Sequence, residues 1–308
     1  MKSSQISIVA GCLLALCLFG SVLALRRVDQ LRNRATLEEV LYVSSPKALK
    51  RMSLGYNGLL ADIYWTRAVQ YFGNKHVQGA DNYKLLAPLL EITTTLDPKL
   101  LVAYEFGSNF LTAKPPQGAG MPEQAITLVE EGIRNNPNEW KLYYDLGFIY
   151  YLDRKDYHSA ADAFARGSQV PNAHPWMKIM AARAAQEGGD ADMARMLWTT
   201  TFETTPSKEI KANAAAHLRA LQVDADVTLL EALVARYHQQ TGHLPSSFRE
   251  LESARMLAGI PLDPLGVPYK LTQEGKIEVN DPDDLPFIQK GLNIGYIPPA
   301  KPKLRPVD

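Results

Sequence analysis

The sequence predicts a mainly α protein: an N-terminal transmembrane helix, then a solenoid of antiparallel helix pairs, then a small C-terminal module containing a β-hairpin. Three observations predict it. Residues 6–25 carry no charge over a length that matches a bilayer. Small and large residues recur along the middle of the chain at a spacing near 34. After Gly242 the helical periodicity gives way to Pro-, Gly- and Asp-rich turns.

The apolar segment follows a polar head of residues 1–5 and ends at Arg26-Arg27. At about 1.5 Å per residue it spans roughly 30 Å, the hydrocarbon thickness of a membrane. A cleaved signal peptide would have a shorter apolar run and a small-residue cleavage site, whereas here arginines follow at once. The expectation is an uncleaved single-pass anchor, with residues 26–53 as a juxtamembrane segment. Both cysteines, Cys12 and Cys17, lie in the apolar segment, so the body can form no disulfide and no cysteine metal site.

Overall, 46% apolar and 21% charged residues give a globular composition, and 308 residues exceed one small core. The net charge of zero is unevenly spread. Residues 1–35 hold Lys2, Arg26, Arg27, Arg32 and Arg34 against Asp29, leaving 28 basic and 32 acidic groups for the rest. A mildly acidic body argues against a nucleic-acid partner. Orientation is divided: the basic flank at Arg26–Arg34 favours a cytoplasmic body, while a five-residue head carrying Lys2 is typical of anchors whose body is exported.

Prolines punctuate the middle of the chain at Pro98, Pro137, Pro171 and Pro206, at intervals of 39, 34 and 35. Eleven or twelve residues before the last three stand Ala125, Ala160 and Ala194. Val129, Phe164 and Trp198 follow four later, and Gly132, Gly167 and Thr201 form a third column. The clearest unit runs from Trp140 to Pro171. It places Leu146, Gly147 and Tyr150 on a first helix and Tyr157, Ala160 and Phe164 on a second, with one residue inserted in a turn at 153–156. Small residues at Gly147 and Ala160 imply that the two helices approach closely there.

These letters and spacings resemble the tetratricopeptide repeat (TPR) family. The preceding unit, with Tyr104, Phe106, Gly107 and Phe110, is looser and carries a Pro/Gly loop at 114–121. The following unit covers 176–186 and 193–204 around Gly188-Gly189-Asp190. A degenerate pair covers 54–72 and 83–96, so repeats are expected over 54–206. Residues 208–221 and 227–240 are expected to form two amphipathic capping helices within 207–241, the second through Leu229, Leu230, Leu233, Val234 and Tyr237.

In residues 242–280, a short helix with Ser246 or Ser247 near its cap is followed by a hairpin over 270–272 and 276–279, with Gly275 in the turn. The run from Leu244-Pro245 to Asp263-Pro264-Leu265-Gly266-Val267-Pro268-Tyr269 is similar to the globular tail of type II secretion pseudopilins, with Leu265 in place of the usual tryptophan and no pilin leader. Residues 281–308 read as a Pro-rich tail without a core of its own. The resemblances together imply a body on the periplasmic side of the inner (cytoplasmic) membrane.

No catalytic constellation is legible. His76, His158, His174, His217, His238 and His243 are scattered, and no Walker, Gly-x-Ser-x-Gly or metalloprotease pattern occurs. No catalytic residue, metal, cofactor or small-molecule substrate is expected. The expected activity is protein binding: a scaffold that recruits a partner to an envelope assembly, with secretion or pilus machinery implied by the pseudopilin likeness. The alternative is a membrane-tethered enzyme with its site between repeats and C-terminal module.

In the tetratricopeptide architecture first helices line a groove. Counted from Trp140, the groove positions are Lys141, Tyr144, Phe148 and Tyr151, the last three at i, i+4 and i+7. Neighbouring units contribute Glu105 and Asn109 before them, and Lys178 and Ala182 after. Aromatic residues suit interfaces; burial against a neighbouring helix remains equally open. Glu105 stands where peptide-carboxylate-binding relatives need a lysine. A second aromatic-rich segment, 54–65 with Tyr71 and Phe72, is expected to pack on the first repeat, with a membrane-side or partner contact as the alternative.

Overall fold

The computed structural model describes Cys17 and residues 19–23, 26–27 and 45–305. The expected anchor, residues 6–25, thus falls mostly outside the described residues; among those described, no helix is long and apolar enough to cross a membrane. The described chain is mainly helical, with one two-stranded antiparallel sheet, and divides into two compact units at Pro137/Asn138.

The first unit contains α1 (Pro46–Met52), α2 (Asn57–Val77), α3 (Leu86–Leu96), α4 (Leu101–Thr112) and α5 (Pro122–Asn135). Helices α2 and α3 pack as one pair and α4 and α5 as the next. Local chemistry sets the ends. Ser45 accepts from the Ala48 amide to cap α1, and proline occupies the first turn of both α1 and α5, where its missing N–H costs nothing. Helix α3 is buried on most of its surface, and its Thr93 and Thr94 hydroxyls are satisfied by donating to the Leu89 and Leu90 carbonyls. Gly107 of α4 packs closely against its neighbours: a Cβ there would meet Leu90 Cδ2 at 2.8 Å and Leu128 Cδ2 at 3.1 Å. Phe72 of α2 stacks on Phe110 of α4 at 4.0 Å between ring centroids.

The second unit begins with α6 (Trp140–Phe148), which runs on as a π-helical turn (Ile149–Arg154), followed by α7 (Tyr157–Gly167), α8 (Trp176–Glu187), α9 (Ala191–Thr204) and α10 (Lys208–Thr241). Each helix packs on the next. The inserted residue expected in a turn at 153–156 is instead absorbed inside the first helix. The widened i→i+5 turn takes the extra residue without breaking the helix, and Lys155 closes it in the left-handed conformation at φ 55°. Asp156 and Asp190 then cap α7 and α9 by accepting from the Ser159 and Met193 amides.

The aligned columns are the interior of this packing. Ala160, Ala194, Phe164 and Trp198 are fully buried. A Cβ on Gly147 would sit 2.5 Å from Phe164 Cε1, and one on Gly167 would sit 2.5 Å from Tyr143 Cβ, so both glycines mark helix–helix closest approaches.

One expectation is corrected at α10. Residues 208–221 and 227–240 form a single 34-residue helix, not two. Nothing between them stops a helix: residues 222–226 contain neither Pro nor Gly, and Gln222 donates to Asp226 one turn on at 2.7 Å. The C-terminal half of α10 is also no mere cap. Val227, Leu230, Val234 and Tyr237 face a core shared with Phe248 and Leu251 of α11 (Phe248–Ser253), with Tyr269, and with Ile277 and Val279. Leu229, one of the predicted apolar stripe, is exposed instead.

The hairpin pairs β1 (Lys270–Leu271) with β2 (Ile277–Glu278), with Gly275 at φ 79° in the turn. The Asp263 carboxylate shapes the preceding loop by accepting from the Leu265 and Val267 amides at 2.8 and 3.0 Å. Residues 282–291, assigned above to a tail, belong to this module: Leu285 and Ile288 enter its core, and Asp224 of α10 accepts from the Gln289 and Lys290 amides. Without a helical period, those apolar residues carry no mark of burial in the sequence.

Candidate functional site

The three predicted aromatic residues of the second unit come together as one row. Tyr144 and Phe148 lie 4.6 Å apart between centroids, and Tyr151 stands edge-on to Phe148 at 6.5 Å. Trp140 extends the row at one end, 6.1 Å from Tyr144, and Tyr157 at the other, 5.3 Å from Tyr151. Phe148 rests edge-to-face on the buried ring of Phe164 at 5.2 Å. All three residues are half-buried. Tyr144 and Phe148 lie against Phe164, Tyr151 lies between Phe148 and Tyr157, and all three side chains keep part of their surface exposed.

The row has a polar end. Burial, reinforced by the charge of the Glu187 carboxylate of α8, pushes the Tyr151 hydroxyl pKa up to about 12. Glu187 accepts from Arg183 Nε at 3.0 Å. Lys141 is exposed on the same helix as Tyr144. Lys178 is half-buried and donates to the Thr204 hydroxyl at 3.3 Å, and Ala182 is fully buried. Ala182 is thus core rather than groove, because α8 turns that position onto its neighbours. Glu105 and Asn109 belong to the other unit, where Asn109 folds back to donate to the Glu105 carbonyl at 2.8 Å.

Beyond Arg183 and Glu187 lies a cavity of about 270 Å³ that the sequence did not announce. It is lined by Ile179, Gln186, Trp198, Asn213, His217, Phe287 and Gln289 besides that pair. His217 of α10 is sandwiched in parallel between Trp198 at 4.0 Å and Phe287 at 3.9 Å. Gln186 Oε1 accepts from Trp198 Nε1 at 3.1 Å and lies 2.8 Å from His217 Nδ1. An amide oxygen can only accept, so Nδ1 carries the imidazole proton. Among the described residues no buried side-chain nitrogen or oxygen lacks a partner, so the unpaired Nε2 is the ring edge that reaches the cavity. Burial, with a smaller contribution from the Arg183 charge, lowers the His217 pKa to about 3.

No protein-family model matches the chain, and no curated protein matches it. The site's chemistry is therefore read from its residues alone. A histidine held neutral so far below its ordinary pKa accepts a hydrogen bond well but takes up a proton poorly. Among the described residues, no three His, Cys, Asp or Glu side chains cluster closely enough to hold a metal ion. The signal that could have found this cluster is polarity in the wrong phase: Gln186 and His217 occupy inward positions on faces otherwise made of apolar residues, chiefly alanine.

Proposed function

We propose that the chain is a membrane-anchored scaffold of tetratricopeptide type that holds a protein partner along Tyr144, Phe148 and Tyr151. The observation that carries this reading is the row's two-sidedness. Tyr144 and Phe148 are pre-positioned against Phe164, and Tyr151 is held between Phe148 and Tyr157, so a partner meets rigid aromatic surface at little ordering cost. The anchor is residues 6–25, the body lies on the periplasmic side of the inner membrane, and the likeness of residues 244–269 to pseudopilin tails favours an assembly of the secretion or pilus kind.

Because Phe148 also supports Phe164, truncating it would confuse binding with folding. The cleaner perturbation is Tyr144→Arg, whose aliphatic stem still covers Phe148 while its charged head obstructs the row. A photoreactive residue at Lys141 should crosslink a partner in cells, and Tyr144→Arg should abolish that crosslink with an unchanged circular dichroism spectrum. Persistence of the crosslink in Tyr144→Arg would defeat the assignment.

A second reading, an enzyme with its site between repeats and C-terminal module, is favoured by one observation: the His217 cavity is built by α8, α9, α10 and the loop of Phe287. The low basicity of His217 weighs against it as a proton-transfer site. Turnover of a hydrolase substrate panel by purified protein, lost on Asn213→Ala, would revive it.

A further inference from the structure

Residues 46–77, which span α1, α2 and the turn between them, carry Lys47, Lys50, Arg51, Arg67 and Lys75 against Asp62 alone, a net of +4. Residues 78–308 hold 23 basic and 29 acidic groups, a net of −6. The same cationic stretch turns aliphatic side chains outward. Met52, Leu54, Tyr56, Leu59 and Ile63 are exposed, from 40% at Ile63 to 85% at Leu54. Leu59 and Ile63 lie on the side of α2 opposite its buried Ala61, Tyr64 and Ala68. The aromatic residues of the helix go the other way, with Trp65 and Phe72 stacked against Phe110 at 6.3 and 4.0 Å. The helix is thus sorted: its aromatic contacts satisfy the unit's core, and its aliphatic face is left over. Leu54 adds a backbone observation. It sits at φ 49°, in the left-handed region that disfavours a bulky side chain, and gains no burial within the unit in exchange.

We propose that this face rests on the surface of an anionic lipid bilayer, continuing the attachment begun by residues 6–25. The inference rests on reading that segment as an anchor. The apolar segment ends at Leu25, and the intervening residues 26–45 include Arg26, Arg27, Arg32 and Arg34. That tether keeps α1 and α2 near the membrane, where aliphatic side chains, one tyrosine at headgroup level and flanking lysines and arginines are the composition of an interfacial segment. Anionic headgroups attract the +4 stretch and repel the rest of the first unit, residues 78–137, which holds 4 basic and 7 acidic groups, so the Leu54–Leu59 side is the one presented to lipid.

The test uses the full chain carrying Cys12→Ser and Cys17→Ser, reconstituted in vesicles of phosphatidylcholine and phosphatidylglycerol that contain spin-labelled lipid. An environment-sensitive fluorophore is attached at Leu59→Cys or, as control, at the equally exposed Met196→Cys of the second unit. The expected result is a blue-shifted emission and loss of fluorescence to the spin label at position 59, none at 196, and a weaker loss when phosphatidylglycerol is omitted. Water-like, unquenched emission at 59 overturns the proposal. Resistance to carbonate extraction reports the anchor separately: quenching at 59 in protein that carbonate releases supports the surface contact and removes the anchor, and retention without quenching does the reverse. Shielding of position 59 from a water-soluble maleimide in native membranes but not in pure lipid vesicles also overturns it, in favour of a protein neighbour.

Discussion

Replacing His217 with phenylalanine should reverse the order of stability between neutral and acid pH. In the folded chain the imidazole pKa is about 3, against an ordinary 6.5. Between those values the unfolded chain binds the proton and the folded chain does not, so stability is full above pH 6.5 and is lost as pH falls below it. Each pH unit in that window is worth about 1.4 kcal/mol, so at pH 5 this single group withdraws about 2 kcal/mol. Phenylalanine keeps a flat ring between Trp198 and Phe287, and Gln186 Oε1 keeps its Trp198 donor. At pH 7.5 the variant loses one buried hydrogen bond, about 1 kcal/mol. It escapes the acid penalty, so at pH 5 it should be the more stable protein by about 1 kcal/mol, the difference of the two terms. Denaturant unfolding of the full chain at several pH values, followed by far-ultraviolet circular dichroism, measures the crossing. Magnetic resonance of the His217 ring carbon gives the midpoint directly. Parallel stability curves for the two proteins, or a His217 midpoint near 6.5, would refute the reasoning.

Gly147→Ala gains helix propensity but drives a methyl into the Phe164 ring, 2.5 Å away; the net should be a loss of about 1–2 kcal/mol by denaturant unfolding, and a stabilised variant would show that the contact gives way freely. Phe287→Ala opens one face of the imidazole stack, so the His217 pKa should climb from about 3 toward its ordinary value, read by the same ring resonance. Tyr151 should resist ionisation until about pH 12, and Glu187→Gln should bring its phenolate absorbance in at lower pH, since the nearby carboxylate charge adds to burial in disfavouring the phenolate. An unmoved midpoint in that variant would detach the aromatic row from its polar end.

The helix pairs were legible because their determinants are local and periodic. Pro98, Pro137, Pro171 and Pro206 each stand just past the end of a helix, which a proline cannot continue, and a glycine or alanine at each close approach is demanded by two neighbouring helices only. The row of Tyr144, Phe148 and Tyr151 followed from helical spacing alone, even across the π-turn, which moves Tyr151 by a fraction of a turn without removing it from the face. The likeness of the chain to the tetratricopeptide pattern rests on that same periodicity.

What the tertiary structure decided has a different cause. That α10 runs unbroken follows from its own residues, but what its second half packs on, the core of Phe248, Tyr269 and Ile277, is supplied by segments further along the chain. The His217 cluster gathers Gln186 and Trp198 from two earlier helices and Phe287 from a loop 101 residues beyond Gln186. No spacing records such a meeting. The aromatic row, the repeat interior and the apolar segment were thus determined by the sequence itself, through periods that a helix imposes on its own side chains. The buried histidine and its cavity came from the fold alone, because burial of a polar group is set by partners distant in the chain.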